Sequence, residues 1–553
     1  MSTEASVPVQ TANSSLPQVA GTEPSRAVLD AFRIAIAVQI HRALPQLSVE
    51  QVYPGVLYGV KGVDFTVAMA RFRLGGKPDE WAKKVADSFQ ADEYVEAATQ
   101  MNGFVNFKLN TKSLMSQVLK QVDALTNHTE DKTPQYGSNS SGAGKNIIIE
   151  YSSPNIAKQF HVGNLRSTII GGFLTNVYKA NGWSVTGMNY LGDWGKQFGM
   201  IAVGFEKYGS EEALARDAIK HLYDVYCAPK LAQVEDLSIE KYKEEYARLN
   251  IAFDVYSGES QVGADTIKVA VDRLKEMGLV SESKDGTSLY LTRDIAAAIE
   301  RYEKYKFDRM IYVIASQQDL HCAQFFKTLE LMEYPWAKSL EHVNFGMVLG
   351  MSTRKGTAVF LDDVIREAAS IMKEKMMSNE EKYNAIEDPE GVSREIGLSA
   401  IKIQDMAAKR INNYSFNWSR MTSFEGDTGP YLQYAHVRLS SISRKNPELL
   451  PLPAADKIQT DLLTEPHARE MVFILASYPV VRVACEKNEP SGVVTFAMKL
   501  SHAISSAWDP LPVKGLAADQ IEVARARLWL FLCARDVLGA AMRLLSIRPL
   551  ERM

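Results

Sequence analysis

The chain of 553 residues is long enough for about two to four domains, and its hydrophobic content of 46% is ordinary for a globular protein. No uninterrupted apolar run is long enough to span a bilayer, and the four scattered cysteines form no CxxC pair, which argues against a zinc site or a disulfide framework. The net charge of −4 argues against a simple polycation that clings to RNA. From Arg394 onward, 20 Lys and Arg stand against 16 Asp and Glu, an excess that fits RNA contact and a solvated helical surface equally well.

The N-terminal part predicts a disordered tail followed by a compact domain. Residues 1–27 are rich in Ser, Thr, Gln and Pro, and no Arg precedes Arg26, unlike the Arg-rich presequences of mitochondrial proteins, so we expect a cytosolic protein. Residues 28–125 predict an α+β domain, and the Gly- and Ser-rich residues 126–145 predict a linker. Its predicted elements are a strand over Asp64–Phe72, a helix over Lys77–Phe89, and a turn leading into a strand over Asn102–Phe107.

Residues 146–390 open on a strand, a tight connection and a helix start. The buried run Ile147–Ile149 is followed by Ser153–Asn155, and a helical pattern begins at His161–Asn164. In a doubly wound α/β sheet this is the place where ligands collect. A helix start suits phosphate because its N–H groups are unpaired, and Gly163 lets a ligand approach the backbone closely.

Later segments continue the same architecture. Two further strands are predicted over Arg309–Ala315 and Val343–Val348, and residues 205–286 are mostly helical and charged. Residues 391–553 predict a helical bundle. One amphipathic series there has alternating steps of three and four and a single charged member, Arg535. Its apolar members are Ile521, Ala524, Leu528, Phe531, Leu538, Met542 and Leu545.

Several stretches resemble one family in the same order. The string SSPNIAKQFHVGNLRST is similar to the region around the HIGH motif of arginyl-tRNA synthetases, which are class I aminoacyl-tRNA synthetases. The stretches Gly187–Gly199, Phe424–Arg438 and Arg548–Met553 resemble the same family. The resemblance implies a Rossmann-type α/β catalytic domain, an α+β N-terminal domain that contacts the tRNA elbow, and an all-α C-terminal bundle that binds the anticodon.

The resemblance also implies a two-step reaction. L-Arginine reacts with ATP, accompanied by Mg²⁺, to give arginyl-adenylate and pyrophosphate, and the 2′-hydroxyl of the terminal adenosine of tRNA(Arg) then takes the arginyl group. Nothing covalent to the protein is needed, so catalysis rests on positioning and on stabilising phosphate charge. No carboxylate cage for a metal is evident, and we name no protein metal ligands. A monomer is expected.

The residues that match the family's ATP site come from three segments. His161, Gly163 and Asn164 open the helix, where the family normally has a second histidine at the position of Asn164. The amide can still donate a hydrogen bond but cannot carry positive charge, and activity is expected to be retained. The others are His321, Gln324, Met351, Ser352 and Lys355, of which the last three belong to a KMSKS-like loop. This loop lacks its usual second lysine, and Lys158 stands where such family members supply the missing charge; the alternatives are a surface lysine for Lys158 and a core histidine for His161.

The predicted arginine pocket matches a planar, forked cation. The family places acceptors at the positions of Glu150, Tyr290 and Asp294, and the last two are four residues apart, on one face of a helical turn. Asn155 and Gln318 match the residues that hold the α-amino and carboxylate groups. For Asp294, a helix N-cap or a surface charge facing Arg293 is the alternative.

Five side chains are candidate tRNA contacts. Phe104 and Asn106 match a cluster that reads a D-loop nucleotide, and an aromatic ring plus an amide can stack on and pair with a splayed base. Tyr434 and Arg438 lie in the third matching stretch, and Trp508 is a candidate for stacking on an anticodon base. Burial in a core is the alternative for Phe104 and for Trp508.

Two other functions compete with an active ligase. A catalytically silent tRNA-binding paralogue would keep the scaffold after losing the second histidine, but it would not need Glu150, Asn155, Asp294 and Gln318. Another nucleotidyltransferase with the same sheet would leave the matches in the N-terminal and C-terminal parts unexplained.

Overall fold

The computed structural model of the chain describes residues 16–60, 62–129, 133–155, 162–194, 210, 231–279, 290–350, 361–478 and 480–553. The described strands, in chain order, are β1 (Leu57–Tyr58), β2 (Phe65–Ala68), β3 (Val95–Met101), β4 (Phe104–Leu109), β5 (Asn146–Glu150), β6 (Ser184–Leu191), β7 (Val255–Gly258), β8 (Arg309–Tyr312), β9 (Leu340–His342), β10 (Val348–Leu349) and β11 (Tyr414–Ser415).

The described α-helices fall into an earlier and a later group along the chain. The earlier helices are α1 (Val28–Ala43), α2 (Val49–Val52), α3 (Pro78–Asp87), α4 (Thr111–Asn127), α5 (Val162–Ala180), α6 (Leu231–Arg248), α7 (Ala264–Glu276), α8 (Tyr290–Tyr305) and α9 (Asp319–Leu331). The later helices are α10 (Leu361–Met377), α11 (Glu380–Asn384), α12 (Pro389–Met406), α13 (Trp418–Met421), α14 (Gly429–Arg444), α15 (Pro466–Ala476), α16 (Val480–Lys487), α17 (Ser491–Ala507) and α18 (Ile521–Leu544).

Two compact units are distinguished by the contacts within them. The first unit comprises Met1–Asn139, Leu439–Val480 and Lys499–Ala540. The second unit comprises Ser140–Arg438, Val481–Met498 and Ala541–Met553.

The first unit contains a four-stranded antiparallel sheet in the order β1-β2-β4-β3. Strand β4 alternates as a half-buried strand should, since Val105, Phe107 and Leu109 are buried whereas Phe104 and Lys108 are exposed. The predicted turn before β4 is present, because Asn102 and Gly103 both have positive φ. The predictions for the preceding segment were too long: β2 ends at Ala68, where the chain enters a 3₁₀ turn, and α3 spans only Pro78–Asp87.

The second unit contains a five-stranded parallel sheet in the order β7-β6-β5-β8-β9. Its central strand, β5, is the predicted one, and Ile147, Ile148 and Ile149 are at most 1% exposed. From β5 the chain runs outward through β6 and β7 on one side of the sheet. It then returns to β8 and β9 on the other side, so the strand order reverses beside β5. A crevice outside the carboxyl ends of the strands forms at such a reversal.

Three details of this sheet differ from the predictions. Strand β7 was missed, because its first three residues are only partly buried and the strand lacks an alternating pattern. Strand β8 ends at Tyr312 rather than Ala315. The predicted strand Val343–Val348 is wrong: β9 ends at His342, β10 begins at Val348, and between them only a single bridge joins Phe345 to Ala315.

The C-terminal amphipathic series is confirmed for most of its members. Ala524, Leu528, Phe531, Leu538, Met542 and Leu545 are all at most 3% exposed. Ile521, in contrast, is 39% exposed, because it is the first residue of α18, where the helix has no preceding turn to cover it.

Candidate active site

The turn that follows β5 has an unusual backbone conformation. Ser152 and Ser153 have φ values of 71° and 44°, in the left-handed region that non-glycine residues rarely adopt. Side chains hold this turn in place: the Ser152 N–H donates to Ser167 Oγ at 2.9 Å, and the Thr168 hydroxyl donates to Ser152 Oγ at 2.8 Å. The Tyr246 hydroxyl lies 2.8 Å from the same Ser152 oxygen. These hydrogen bonds therefore hold Ser152 in place at the end of β5.

Two predicted asparagines lie on either side of this turn. Asn155 is exposed and forms a single bridge with Gly192, where a Cβ would lie only 2.1 Å from Asn155 Oδ1, so a side chain at 192 would displace the Asn155 amide. Asn164, in the first turn of α5, donates its Nδ2 to the Ser152 carbonyl at 3.0 Å. One N–H of the Asn164 side-chain amide therefore stabilises the turn, and the same amide has a second N–H.

Glu150, the last residue of β5, is paired with a resident guanidinium. Its side chain is buried, and Arg301 Nη1 of α8 donates to Glu150 Oε2 at 2.5 Å. Burial raises the pKa of the Glu150 carboxyl, the Arg301 charge opposes that shift, and the Asp294 charge adds to it. Glu150 and Asp294 are therefore close enough to interact electrostatically across the edge of the sheet.

Asp294 also has a nitrogen partner. It lies on α8, confirming the predicted helical setting, and His321 Nε2 of α9 is 2.7 Å from its Oδ2. This hydrogen bond raises the pKa of His321 above its ordinary value. Asp294 is therefore neither a helix N-cap nor a partner of Arg293, whose Nη1 donates instead to the Glu259 carbonyl at 2.7 Å.

Further carboxylates make this end of the sheet acidic. Glu259 follows β7, and burial, followed by the charges of Asp294 and Asp193, raises its pKa to about 7. The Asp193 side chain accepts from the Ser260 N–H at 2.7 Å and from the Ser260 hydroxyl at 2.5 Å. A crevice with so many acceptors suits a cationic ligand that donates several hydrogen bonds.

The structure describes only some of the remaining predicted binding residues. Gln318 and Gln324 are exposed at the amino end of α9, beside His321. Gly163 lies in the first turn of α5 and Tyr290 begins α8, but the Tyr290 side chain lies outside the described part of the structure. The predicted residues that lie entirely outside the described ranges are Lys158, His161, Met351, Ser352 and Lys355.

The candidate tRNA contacts of the first unit are Phe104, Asn106 and Trp508. Phe104 is 43% exposed and is therefore not a core residue. Asn106 is on the same face of β4, and its Oδ1 accepts from the Thr66 hydroxyl at 2.8 Å. Trp508 is half-buried, with its ring 5.5 Å from that of Phe531.

The candidate tRNA contacts of the second unit are Tyr434 and Arg438. Tyr434 is 43% exposed, and the Arg438 guanidinium lies 5.6 Å from the centre of its ring. Tyr434 also lines a cavity of about 250 Å³ together with Phe424, Lys375 and the terminal Met553. An aromatic and basic surface of this kind is suited to stacking on a nucleobase.

Residues of the site that the sequence patterns did not indicate are Arg301, Tyr190 and Ser152. The one available signal for Arg301 was its place seven residues after Asp294, about two helical turns along the same face. No sequence signal marks a serine for a left-handed conformation. Across the described ranges, no helix is both long and apolar enough to cross a bilayer, and no group of three His, Cys, Asp or Glu side chains is placed to hold a metal ion.

Family models match most of the second half of the chain and much of the first. A model described as the catalytic domain of class I tRNA synthetases (R) matches residues 129–242 and 263–418, and a model described as the DALR anticodon binding domain matches residues 432–553. Together with the parallel sheet and the C-terminal helices, these matches confirm the predicted fold class.

Individual proteins agree with the family models. The chain is 47% identical to the cytoplasmic arginine–tRNA ligase of Saccharomyces cerevisiae, over 89% of each chain. It is 45% identical to the mitochondrial arginine–tRNA ligase of the same yeast, over 76% of this chain and 74% of the other. Its fold is similar to that of the arginyl-tRNA synthetase of Plasmodium falciparum, with a TM-score of 0.76, 21% identity, and coverage of 96% of this chain and 99% of that one. The chain therefore belongs to the arginyl-tRNA synthetases, the arginine–tRNA ligases of class I.

Proposed function

We propose that the crevice at the carboxyl ends of β5 and β8 is where this ligase activates L-arginine and charges tRNA(Arg). An arginine carboxylate oxygen attacks the α-phosphorus of ATP, and pyrophosphate leaves. The 2′-hydroxyl of the terminal adenosine then attacks the carbonyl carbon of arginyl-adenylate, and AMP leaves. The residues of the chain bind, orient and stabilise charge in both steps, and none is acylated.

The observation that carries this proposal is the pair of carboxylates at one edge of the sheet. Glu150 and Asp294 interact electrostatically, and each already accepts a hydrogen bond from a nitrogen donor of the chain, Arg301 or His321. Acceptors arranged in this way can meet the planar fork of the substrate guanidinium. Lysine would leave part of that acceptor set unpaired, which is a strong basis for discrimination.

The other end of the substrate amino acid is assigned to Asn155 and Gln318. Both are exposed and lie just beyond strand ends of the same sheet, Asn155 after β5 and Gln318 after β8. Their amides supply donors for the carboxylate and acceptors for the α-ammonium group. Tyr290, one helical turn before Asp294, supplies a hydroxyl to the guanidinium.

The ATP phosphates are assigned to the amino end of α5. That helix begins at Val162, so Gly163 and Asn164 lie at its positive end, where unpaired N–H groups favour anions, and His161 is assigned to the same phosphates. His321 and Gln324 of α9 are assigned to the nucleotide site, as are Met351, Ser352 and Lys355 of the KMSKS-like loop. Lys158 supplies the charge that the loop lacks. Mg²⁺ would accompany ATP and help neutralise the phosphate charge, and no residue of the chain is assigned to it.

Transfer RNA is assigned to exposed aromatic and polar residues of each unit. Phe104 and Asn106 present a ring and an amide on the open face of β4, which supports contact with a splayed D-loop base. Tyr434, Arg438 and Trp508 are assigned to the anticodon arm. The cavity beside Tyr434 supports stacking there.

The wider setting is also part of the proposal. The protein acts as a monomer in the cytosol, as supported by its 47% identity to a cytoplasmic relative. The proposed domains are a tail (1–27), a tRNA-elbow domain (28–125), a linker (126–145), a catalytic domain (146–390) and an anticodon-binding domain (391–553).

The test is ATP–pyrophosphate exchange with purified full-length protein. We expect exchange that requires both L-arginine and tRNA(Arg), because members of this family need tRNA for the first step, and we expect lysine not to replace arginine. Protein that binds tRNA(Arg) but supports no exchange with arginine would refute the proposal and identify a silent tRNA-binding protein.

A further inference from the structure

Arg301 occupies the inner wall of the proposed arginine pocket without having been assigned a role. It lies on α8, about two helical turns after Asp294, and its guanidinium reaches Glu150 at the end of β5. Its Cζ lies 4.4 Å from the ring centre of Tyr190 on β6 and 6.0 Å from that of Tyr312 on β8. The guanidinium is thus held by elements on both sides of the central strand.

The side chains around Arg301 are buried from solvent, and only some of their hydrogen-bonding groups have a partner. Arg301 is 8% exposed and Glu150 is 5% exposed. Within the described structure, the Tyr190 hydroxyl is buried without a hydrogen-bond partner, whereas the Tyr312 hydroxyl interacts with the Arg301 guanidinium. A buried network with open donors and acceptors is costly for stability alone, and such a cost is commonly retained at binding sites.

We propose that Arg301 is a specificity-determining positioning residue, which holds the Glu150 carboxylate at the edge of the pocket so that it and Asp294 together receive the substrate guanidinium. This inference rests on the proposed function of the crevice. Arg301 acts through Glu150 and does not itself touch the substrate.

The chemistry of a buried carboxylate explains why such a residue is needed. Burial favours the neutral acid form of Glu150, and the charge of Asp294 works in the same direction. A protonated Glu150 would present a hydroxyl donor to a substrate that consists of donors. The Arg301 charge and a hydrogen bond with Ser153 counter both effects and favour the carboxylate form of Glu150. A flexible lysine ammonium at 301 would lack the planar fork and the stacking between tyrosines.

The test compares Arg301→Ala, Arg301→Lys and wild-type protein in ATP–pyrophosphate exchange with saturating tRNA(Arg). We expect Arg301→Ala to raise the KM for arginine by about 10- to 150-fold, the loss associated with one charge-assisted hydrogen bond. The KM for ATP should change by less than about threefold, since the ATP site is assigned to α5 and α9. Added guanidinium chloride at millimolar concentration should restore arginine use by Arg301→Ala while inhibiting or leaving unchanged the wild type.

A matched control is Arg309→Ala. Arg309 begins β8 at the opposite, amino end of the sheet, and it also pairs with a glutamate, Glu341. Arg309→Ala also deletes an Arg–Glu pair from this sheet, but at the end away from the proposed pocket. We therefore expect the KM for arginine to stay within about twofold of the wild-type value, because a partly exposed ion pair contributes little energy.

Each outcome of this comparison either supports or refutes the positioning role of Arg301. Thermal melts accompany every variant, and Arg301→Lys carries the test if Arg301→Ala does not fold. Equal increases in KM for arginine and ATP without guanidinium rescue, or a wild-type KM for arginine in Arg301→Lys, would overturn the positioning role while leaving the proposed function intact. A wild-type protein with no arginine-dependent exchange would overturn both.

Discussion

Replacing Asp294 by asparagine separates its charge from its hydrogen bond. Asparagine keeps the size of the side chain and an acceptor oxygen for His321 Nε2, which lies 2.7 Å from the present carboxylate. The substitution therefore leaves the α8–α9 contact in place while removing the negative charge offered to the substrate. Asp294→Ala removes both.

The magnitude follows from the hydrogen bonds that each variant keeps. A hydrogen bond to a charged group contributes about 1.5–3 kcal/mol and a neutral one about 0.5–1.5 kcal/mol, so the amide loses about 1–1.5 kcal/mol. Because the Asp294 side chain is 29% exposed, solvent screens part of the charge and the lower part of the range applies. Since about 1.4 kcal/mol corresponds to a factor of ten, we expect the KM for arginine to rise about 5- to 8-fold in Asp294→Asn and about 10- to 40-fold in Asp294→Ala.

The assay is ATP–pyrophosphate exchange with saturating tRNA(Arg), in which arginine and ATP are varied in turn. Asp294→Asn should leave the KM for ATP within about twofold, because His321 keeps its partner. Asp294→Ala frees His321 and should therefore also disturb ATP use, by less than it disturbs arginine use. Equal losses for both substrates in Asp294→Asn would refute the assignment of this carboxylate to the guanidinium.

Three further predictions concern other parts of the molecule. Lys158→Ala should lower the rate of adenylate formation by orders of magnitude with an unchanged melting temperature, and a wild-type rate would defeat its assigned role. Phe104→Ala should raise the KM for tRNA about 5- to 150-fold, if one base stacks there with about 1–3 kcal/mol, whereas Phe107→Ala on the buried face should lower the melting temperature instead; equal tRNA defects would contradict the stacking role. The His321–Asp294 hydrogen bond raises the pKa of His321, so its contribution to stability is fully present below the unfolded pKa of 6.5 and is lost as pH rises through the higher folded value. Melting temperatures of wild type and His321→Gln should accordingly differ most near pH 6 and converge toward pH 8, and a difference that grows with pH would be inconsistent with that pair.

The parts of the fold that could be predicted are those in which one local pattern dominates. The run Ile147–Ile149 is buried on both faces, so its composition alone marks a central parallel strand. The spacing in α18 likewise marks one buried face, although Ala526, Leu530 and Ala534 outside that series are buried as well. Strand β7 could not be predicted, because its residues are half-covered and its stability comes from pairing with β6, a contact that no local pattern encodes.

The contacts within the site could not be predicted either, because they join residues that are distant in the sequence. Glu150 was recognised as a carboxylate that needs a partner, yet the partner, Arg301, is supplied by a helix 151 residues later in the chain. The pairing of Asp294 with His321 likewise depends on how α8 and α9 pack. The left-handed Ser152 and Ser153 are held by hydrogen bonds from α5 and α6, so their conformation follows from tertiary contacts and not from the preferences of serine.

The most direct measurement is a crystal structure of the protein with L-arginine and a non-hydrolysable ATP analogue. The account predicts the substrate guanidinium within about 2.7–2.9 Å of carboxylate oxygens of both Glu150 and Asp294, with Arg301 still bound to Glu150. A guanidinium bound elsewhere, or an Arg301 displaced from Glu150 by the substrate, would contradict it.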